Sequence, residues 1–244
     1  MLLQRRTTEK TLCTYLLGKL EWTAALQVQR LLVAEAARSQ RASVLLCEHS
    51  GCISIGRQGS YRHVVPDLEE LQRRGWQVHW VNRGGGCWLH LPGQVVIYLV
   101  VPLAFHGWSL AEYLRRLRQA LVDVVRDYLL SAETPAPGTE VWVQGRPIAC
   151  LGVHVRQGVT SFGGILNIGP DLTYYPLVRT SYNAPPMTSL ERECHRRIRS
   201  AEVREFLLQH LCRQLQYESL MLSLEHPWLM RKASESATVT SRRR

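Results

Sequence analysis

The stretch Asn82-Arg83-Gly84-Gly85-Gly86-Cys87-Trp88-Leu89-His90-Leu91-Pro92-Gly93-Gln94 carries residue types suited to holding a ligand. Adjacent glycines let the backbone approach a bound group closely, or take up positive φ, without steric cost. Arg83 and His90 flank them with a permanent cation and a titratable ring, and Pro92-Gly93 turns the chain back. The spacing is neither the G-x-G-x-x-G that opens a dinucleotide-binding helix nor the Gly-Lys-Ser/Thr of a phosphate loop. A substrate-holding loop is expected here.

The loop sits between a strand expected over Trp76–Val81 and another over Val95–Leu103. The seven apolar residues Val95 to Val101 predict a central strand covered on both faces. Upstream, Leu20–Arg38 has the 3- and 4-residue apolar spacing of an amphipathic helix. Val44–His49 and Cys52–Ile55 read as a hairpin turned at Ser50-Gly51. Pro66–Arg74 reads as a short helix stopped by Gly75. Downstream, Ser109-Leu110-Ala111-Glu112 is a capping box for a helix to about Leu130, with Leu110, Leu114, Leu117, Leu121 and Val124 inward.

Ser131–Thr139, with Pro135 and Pro137, is a loop. Strands are then expected over Glu140–Val143 and Ile148–Val155. A further pair, Val159–Ser161 and Ile165–Ile168, is separated by Phe162-Gly163-Gly164. Thr188-Ser189-Leu190-Glu191 is a second capping box, and Ser200 caps a last amphipathic helix. Grouped strands with inserted helices predict an α+β fold with mixed, largely antiparallel sheets and flanking helices. Residues 1–225 are expected to form one domain and 226–244, ending in Arg242-Arg243-Arg244, a disordered tail.

The chain has 244 residues, 45% of them hydrophobic, enough for a full core. Its net charge of +10 rests on arginine, the lysines being Lys10, Lys19 and Lys232. Such a field attracts acidic partners. Basic residues do not interleave with aromatics, so no nucleic-acid partner is expected. Cys13, Cys47, Cys52, Cys87, Cys150, Cys194 and Cys212 form no C-x-x-C pair. That argues against a disulfide framework or zinc site and for a reducing, cytoplasmic location. No apolar run is long enough to span a membrane, and no apolar segment follows Arg5-Arg6 to make a secretory signal. A monomer is expected, with neither cofactor nor metal.

Four landmarks, in order, resemble the octanoyltransferase family of lipoate biosynthesis, within the lipoate/biotin ligase-like catalytic fold. They are Cys47-Glu48-His49 with Ser54-Ile55-Gly56-Arg57; Arg83-Gly84-Gly85 with His90-x-Pro92-Gly93-Gln94; Arg146 through Gly152; and Gly163 through Asp171. The resemblance spans about Leu17 to Leu190. It implies transfer of a medium-chain acyl group from acyl carrier protein to a lysine of a lipoyl domain. It also implies a substrate site built from Arg83, Gly84, Gly85, Gly86, Cys87, Trp88, Leu89 and Gln94. Cys150, Leu151 and Gly152 would join it from the second strand pair, with Gly163, Gly164 and Ile165.

In that family the acyl group rests on a cysteine beside a lysine. The thiolate is the nucleophile and a nearby cation stabilises it. Here the lysine position is Pro147, which has no side-chain donor. The cysteine position falls on Ser181 counting from Asp171, or on Thr180 counting back from Thr188-Ser189-Leu190. The family histidine beside the second glycine segment is Phe162, and Trp88 and Leu89 replace smaller residues, which makes the acyl site shallower. A serine nucleophile needs a general base, and His90 is the one that the motif places near it. Cys150, at an odd offset from Pro147, is expected on the opposite strand face as a core thiol. Three readings stay open: an acyltransferase with a changed nucleophile, a non-catalytic relative that binds an acyl group, carrier protein or lipoyl domain, and a lipoate ligase-like enzyme. The last would need a lysine for its nucleotide, and the three lysines lie far from the motifs.

Overall fold

The computed structural model describes residues 10–136, 138–178 and 185–233. The strands are β1 (Thr11–Lys19), β2 (Ser43–Glu48), β3 (Cys52–Ile55), β4 (Gln77–Trp80), β5 (Cys87–His90), β6 (Gln94–Val100), β7 (Ala132–Glu133), β8 (Glu140–Val143), β9 (Arg146–Arg156), β10 (Val159–Asn167) and β11 (Ser219–Ser223). The helices are α1 (Trp22–Ser39), α2 (Leu68–Arg73), α3 (Leu103–His106), α4 (Leu110–Asp127), α5 (Leu190–Cys194) and α6 (Ser200–Leu215). A large sheet runs β11-β1-β2-β6-β10-β9-β8-β7, and a small one runs β4-β3-β5. β1 is parallel to both its neighbours and β4 to β3; the other pairings are antiparallel. This is the mixed, largely antiparallel α+β class expected.

Successive side chains of a strand point to opposite faces, so an unbroken apolar run needs cover on both sides. β2 and β6 receive it. Val44, Leu46, Ile97 and Leu99 pack with Leu117 and Leu121 of α4 and Leu207 and Leu211 of α6. Leu45, Cys47, Val96 and Tyr98 pack with Ala25, Val28 and Leu32 of α1. Each such side chain contributes roughly 1.5–3 kcal/mol by leaving water. The small sheet has its own core of Ile53, Ile55, Leu71, Cys87 and Leu89.

Several local expectations are corrected. β2 and β3 do not form a hairpin: the chain leaves the large sheet at Ser50-Gly51, and β3 pairs instead with β4 and β5. Cys87–His90 of the expected glycine loop form strand β5. Gly163 and Gly164 do not interrupt β10, because they sit where β6 and β9 come close; a Cβ on Gly163 would lie 2.4 Å from the Ile97 carbonyl oxygen. Leu110 is exposed, not inward, and the buried stripe of α4 begins at Tyr113. Ser189, not Thr188, caps α5, and α6 is preceded by Arg199 with no side-chain cap, Ser200 being its first residue. Residues 227–233 are helical, with Trp228 and Leu229 against the α1 cluster, so the expected tail does not start at 226. Pro137 and the terminal arginines lie outside the described residues. Among the described residues no helix is long and apolar enough to cross a membrane.

Candidate functional site

The glycine segment lies where the two sheets approach each other. Backbone N–H groups of Gly56, Arg57 and Gln58 donate to the carbonyls of Gly86, Arg83 and Gly85, and Gly84 N–H donates to Val153 of β9. Glycine is required on both sides of this seam. A Cβ on Gly56 would lie 2.5 Å from the Gly85 oxygen, and one on Gly152 would lie 2.4 Å from the Gly84 oxygen.

Arg83 is the internal brace of the segment. It is 1% exposed, and its Nη1 donates to the carbonyls of Gly84 (2.9 Å) and Gly86 (3.0 Å). Its Nη2 donates to Ser54 O (2.9 Å) and Ser54 Oγ (2.7 Å), and its Cζ stands 3.5 Å from the Trp88 ring centroid. Burial pushes the guanidinium down to about 9, so it remains charged at neutral pH.

In front of this seam lies a cavity of about 640 Å³, within the size range of small-molecule sites. Of the residues expected at a substrate site, Gly85, Gly86, Cys87, Trp88, Leu89, Cys150, Leu151 and Ile165 line it. Gln58 and His63 close one side, Gly138, Thr139 and Glu140 another, and Leu172, Tyr175, Pro176, Val178 and Pro185 to Met187 the rest. Arg83, Gly84, His90, Gln94, Gly152, Gly163 and Gly164 do not line it.

Gln94 instead knots the floor together. Its Oε1 accepts from Leu91 N–H, and its Nε2 donates to Leu89 O, Asn167 Oδ1 and Tyr175 Oη. Asn167 Nδ2 donates on to Thr188 O. His90 is likewise internal. Its Nε2 is 2.8 Å from Ser54 Oγ, and its ring packs on Trp22 at 4.7 Å and His49 at 5.7 Å. Burial, then the charges of His49, Arg83 and His79, hold it well below the usual imidazole range. Among the described residues, His90 therefore reaches no group in the cavity as a base, contrary to its expected role.

The placement of Cys150 is also corrected. Glu140 pairs with Cys150, and Trp142, on the same side of β8, pairs with Pro147. The register shift puts one extra residue into β9, so Ile148 and Ala149 both enter the α4–α6 core. Pro147 and Cys150 consequently share a face, despite their odd offset. Cys150 lines the cavity, its thiol pushed up to about 12 by burial. Burial also raises the Cys87 thiol, partly offset by a bond to Ser60 O at 3.5 Å and by Arg83. Both are neutral thiols.

Sequence reasoning missed His63, Tyr175 and Met187, which lie in segments without periodic or motif signal. His63 Nδ1 accepts from Ser60 N–H at 3.2 Å, so the neutral ring carries its proton on Nε2 and acts there as a donor. Ser181 and Thr180 lie outside the described residues; Val178 and Pro185, on either side, both line the cavity. Among the described residues no group of three His, Cys, Asp or Glu side chains is placed to hold a metal ion.

Comparison with known proteins agrees with this architecture. The model of the lipoyl protein ligase A/B catalytic domain matches residues 22–212, and the chain belongs to that family. Within it, the chain is 34% identical to the octanoyltransferase of Solibacter usitatus, over 85% of this chain and 94% of that protein. It is 36% identical to that of Chloroflexus aurantiacus, over 82% and 92%, and 29% identical to the mitochondrial octanoyltransferase of Arabidopsis thaliana, over 87% and 92%. The fold is shared with lipoate-protein ligase A solved with ATP, at a TM-score of 0.70 and 14% identity over 87% of each chain. It is also shared with a bipartite lipoate protein ligase from Thermoplasma acidophilum, at 0.63 and 16% identity over 88% and 87%.

Proposed function

We propose that this protein is an octanoyltransferase of protein lipoylation, moving a medium-chain acyl group from acyl carrier protein to a lysine of a lipoyl domain. The observation that carries the reading is the cavity of about 640 Å³ whose walls are the glycine segment, β5, β9 and β10. Trp88, Ile165, Leu172 and Met187 give an acyl chain an apolar lining. The net charge of +10 suits acidic carrier and acceptor proteins. A monomer is part of the proposal, and free thiols suit a reducing compartment such as the cytosol.

Ser181 is the proposed nucleophile. It lies three residues beyond Val178, within about 11 Å at full extension. Its oxygen attacks the thioester carbon, the carrier thiol leaves with the proton, and an ester remains. The amine of the acceptor lysine then attacks that ester and restores the hydroxyl.

A second reading, a non-catalytic acyl-binding relative, is favoured by the chemistry of the described walls. Their thiols are protonated, the His63 lone pair is engaged, and no lysine lines the cavity. One assay separates the two. The purified protein is mixed with octanoyl-carrier protein and an apo lipoyl domain, and intact masses are recorded. Octanoylation of the lipoyl domain, lost in Ser181→Ala and kept in Cys150→Ala, supports transfer. Saturable binding of octanoyl ligands with no transfer supports the second reading.

A further inference from the structure

A second, inner space of about 10 Å³, walled largely by buried residues, shares Trp88 with the cavity. Trp88 lines both, and the inner space is otherwise walled by β6 and β10 residues such as Val96, Ile97 and Phe162, with Arg83 and His90 at one side. We propose that Trp88 sets the length of acyl chain that the cavity accepts, its indole acting as a partition that ends the chain short of the inner space. The proposal rests on the reading that the cavity holds an acyl group.

The indole is held from several directions. It is 8% exposed and packs in one cluster with Cys150 and Ile165, both of which line the outer cavity. The Arg83 guanidinium stands over the ring. The β9 backbone closes in at Gly152, where an added Cβ would come within 2.8 Å of Trp88 Cζ2 and 3.0 Å of Cη2. A ring clamped by a buried cation and a glycine backbone does not swing aside for a longer ligand without breaking those contacts. The inner space is too small for a chain segment while the ring is present. Replacing the indole by a small side chain would join the two volumes along Val96 and Ile165, whose surfaces suit a methylene chain.

Each buried methylene raises affinity about fourfold. In the native protein that gain should continue along a homologous series until the chain end meets Trp88, and then stop or reverse. The test measures binding of straight-chain fatty acids and their S-acyl pantetheine thioesters of increasing length, by titration calorimetry, to the native protein, Trp88→Ala and Trp88→Phe. Trp88→Ala is expected to move the break to longer chains, with the roughly fourfold gain per methylene persisting past the native limit. Trp88→Phe, which keeps an aromatic side chain and so protects the fold, is expected to move it by a smaller step. The same break in all three proteins would overturn the inference while leaving acyl binding intact. No binding at any length, in native protein or variants, would overturn both the inference and the acyl-binding reading beneath it.

Discussion

Replacing Arg83 by methionine removes the brace of the glycine segment while leaving the cavity walls chemically unchanged. Four hydrogen bonds are lost, to Gly84 O, Gly86 O, Ser54 O and Ser54 Oγ. Gly86 O keeps the Gly56 N–H. Bonds from a charged donor are worth about 1.5–3 kcal/mol each, a gross loss of roughly 6–12 kcal/mol. Opposing this, the burial that takes the guanidinium from 12.5 to about 9 corresponds to roughly 5 kcal/mol of unfavourable desolvation that methionine relieves. The balance is a destabilisation of about 4 kcal/mol, which for a chain of this size lowers the melting temperature by roughly 8–16 °C. Urea unfolding followed by far-ultraviolet circular dichroism measures it without reference to any ligand. Arg83→Lys should recover less than half, because one ammonium cannot span Ser54 and both glycine carbonyls as a guanidinium fork does. A loss below about 1 kcal/mol in Arg83→Met would refute the brace and return Arg83 to the role of a ligand-facing cation.

Acid should destabilise the fold through the rings packed around Trp22. His49, His79 and His90 are all lowered, in each case by burial first. The unfolded chain thus binds protons before the folded one does; the stability is complete above the unfolded value near 6.5 and is lost as pH falls through and below it. Melting temperatures measured down from neutral pH should fall below about 6.5, and a flat profile would contradict the burial of these rings. Installing the lysine and cysteine that the family resemblance implies, with Pro147→Lys and Ser181→Cys, should raise acyl transfer by roughly a hundredfold or more, read as octanoylated lipoyl domain. The prediction depends on position 147 sharing the cavity face with Cys150, so a fully folded double variant with unchanged rate would count against that placement.

What the sequence disclosed was whatever is local. The apolar runs of β2 and β6 announce strands covered on both faces, and Ser109 and Ser189 lie at helix starts because a capping hydroxyl works within one turn. Sheet membership is not local. Ser50-Gly51 is an adequate hairpin turn, yet β3 joins β4 in parallel across an intervening helix. The bulge in β9 is set by its partner β8, so strict alternation along one strand put Cys150 on the wrong face. Arg83 and His90 were recognisable as motif residues, but burial decides whether such groups face a ligand or hold the chain. His63 and Tyr175 enter the cavity from short 3₁₀ segments, whose residue types would suit any surface turn.

The outermost pairing of the large sheet has a kinetic consequence. Thr11 of β1 lies beside Ser219 of β11, with their hydroxyl oxygens 2.7 Å apart across 208 residues of sequence. β9 and β10, by contrast, are joined by the tight turn between Arg156 and Val159. Neighbouring segments find each other in microseconds, whereas contacts spanning most of a chain form late. The β9–β10 hairpin, which carries Cys150 and Ile165, is therefore a part of the large sheet able to assemble early, as is the β8–β9 pair across its own short turn. On the ribosome β1 emerges before β11 and keeps one flank open until Ser219–Ser223 has been made. That leaves a parallel-pairing edge exposed to other nascent chains while the intervening residues are made.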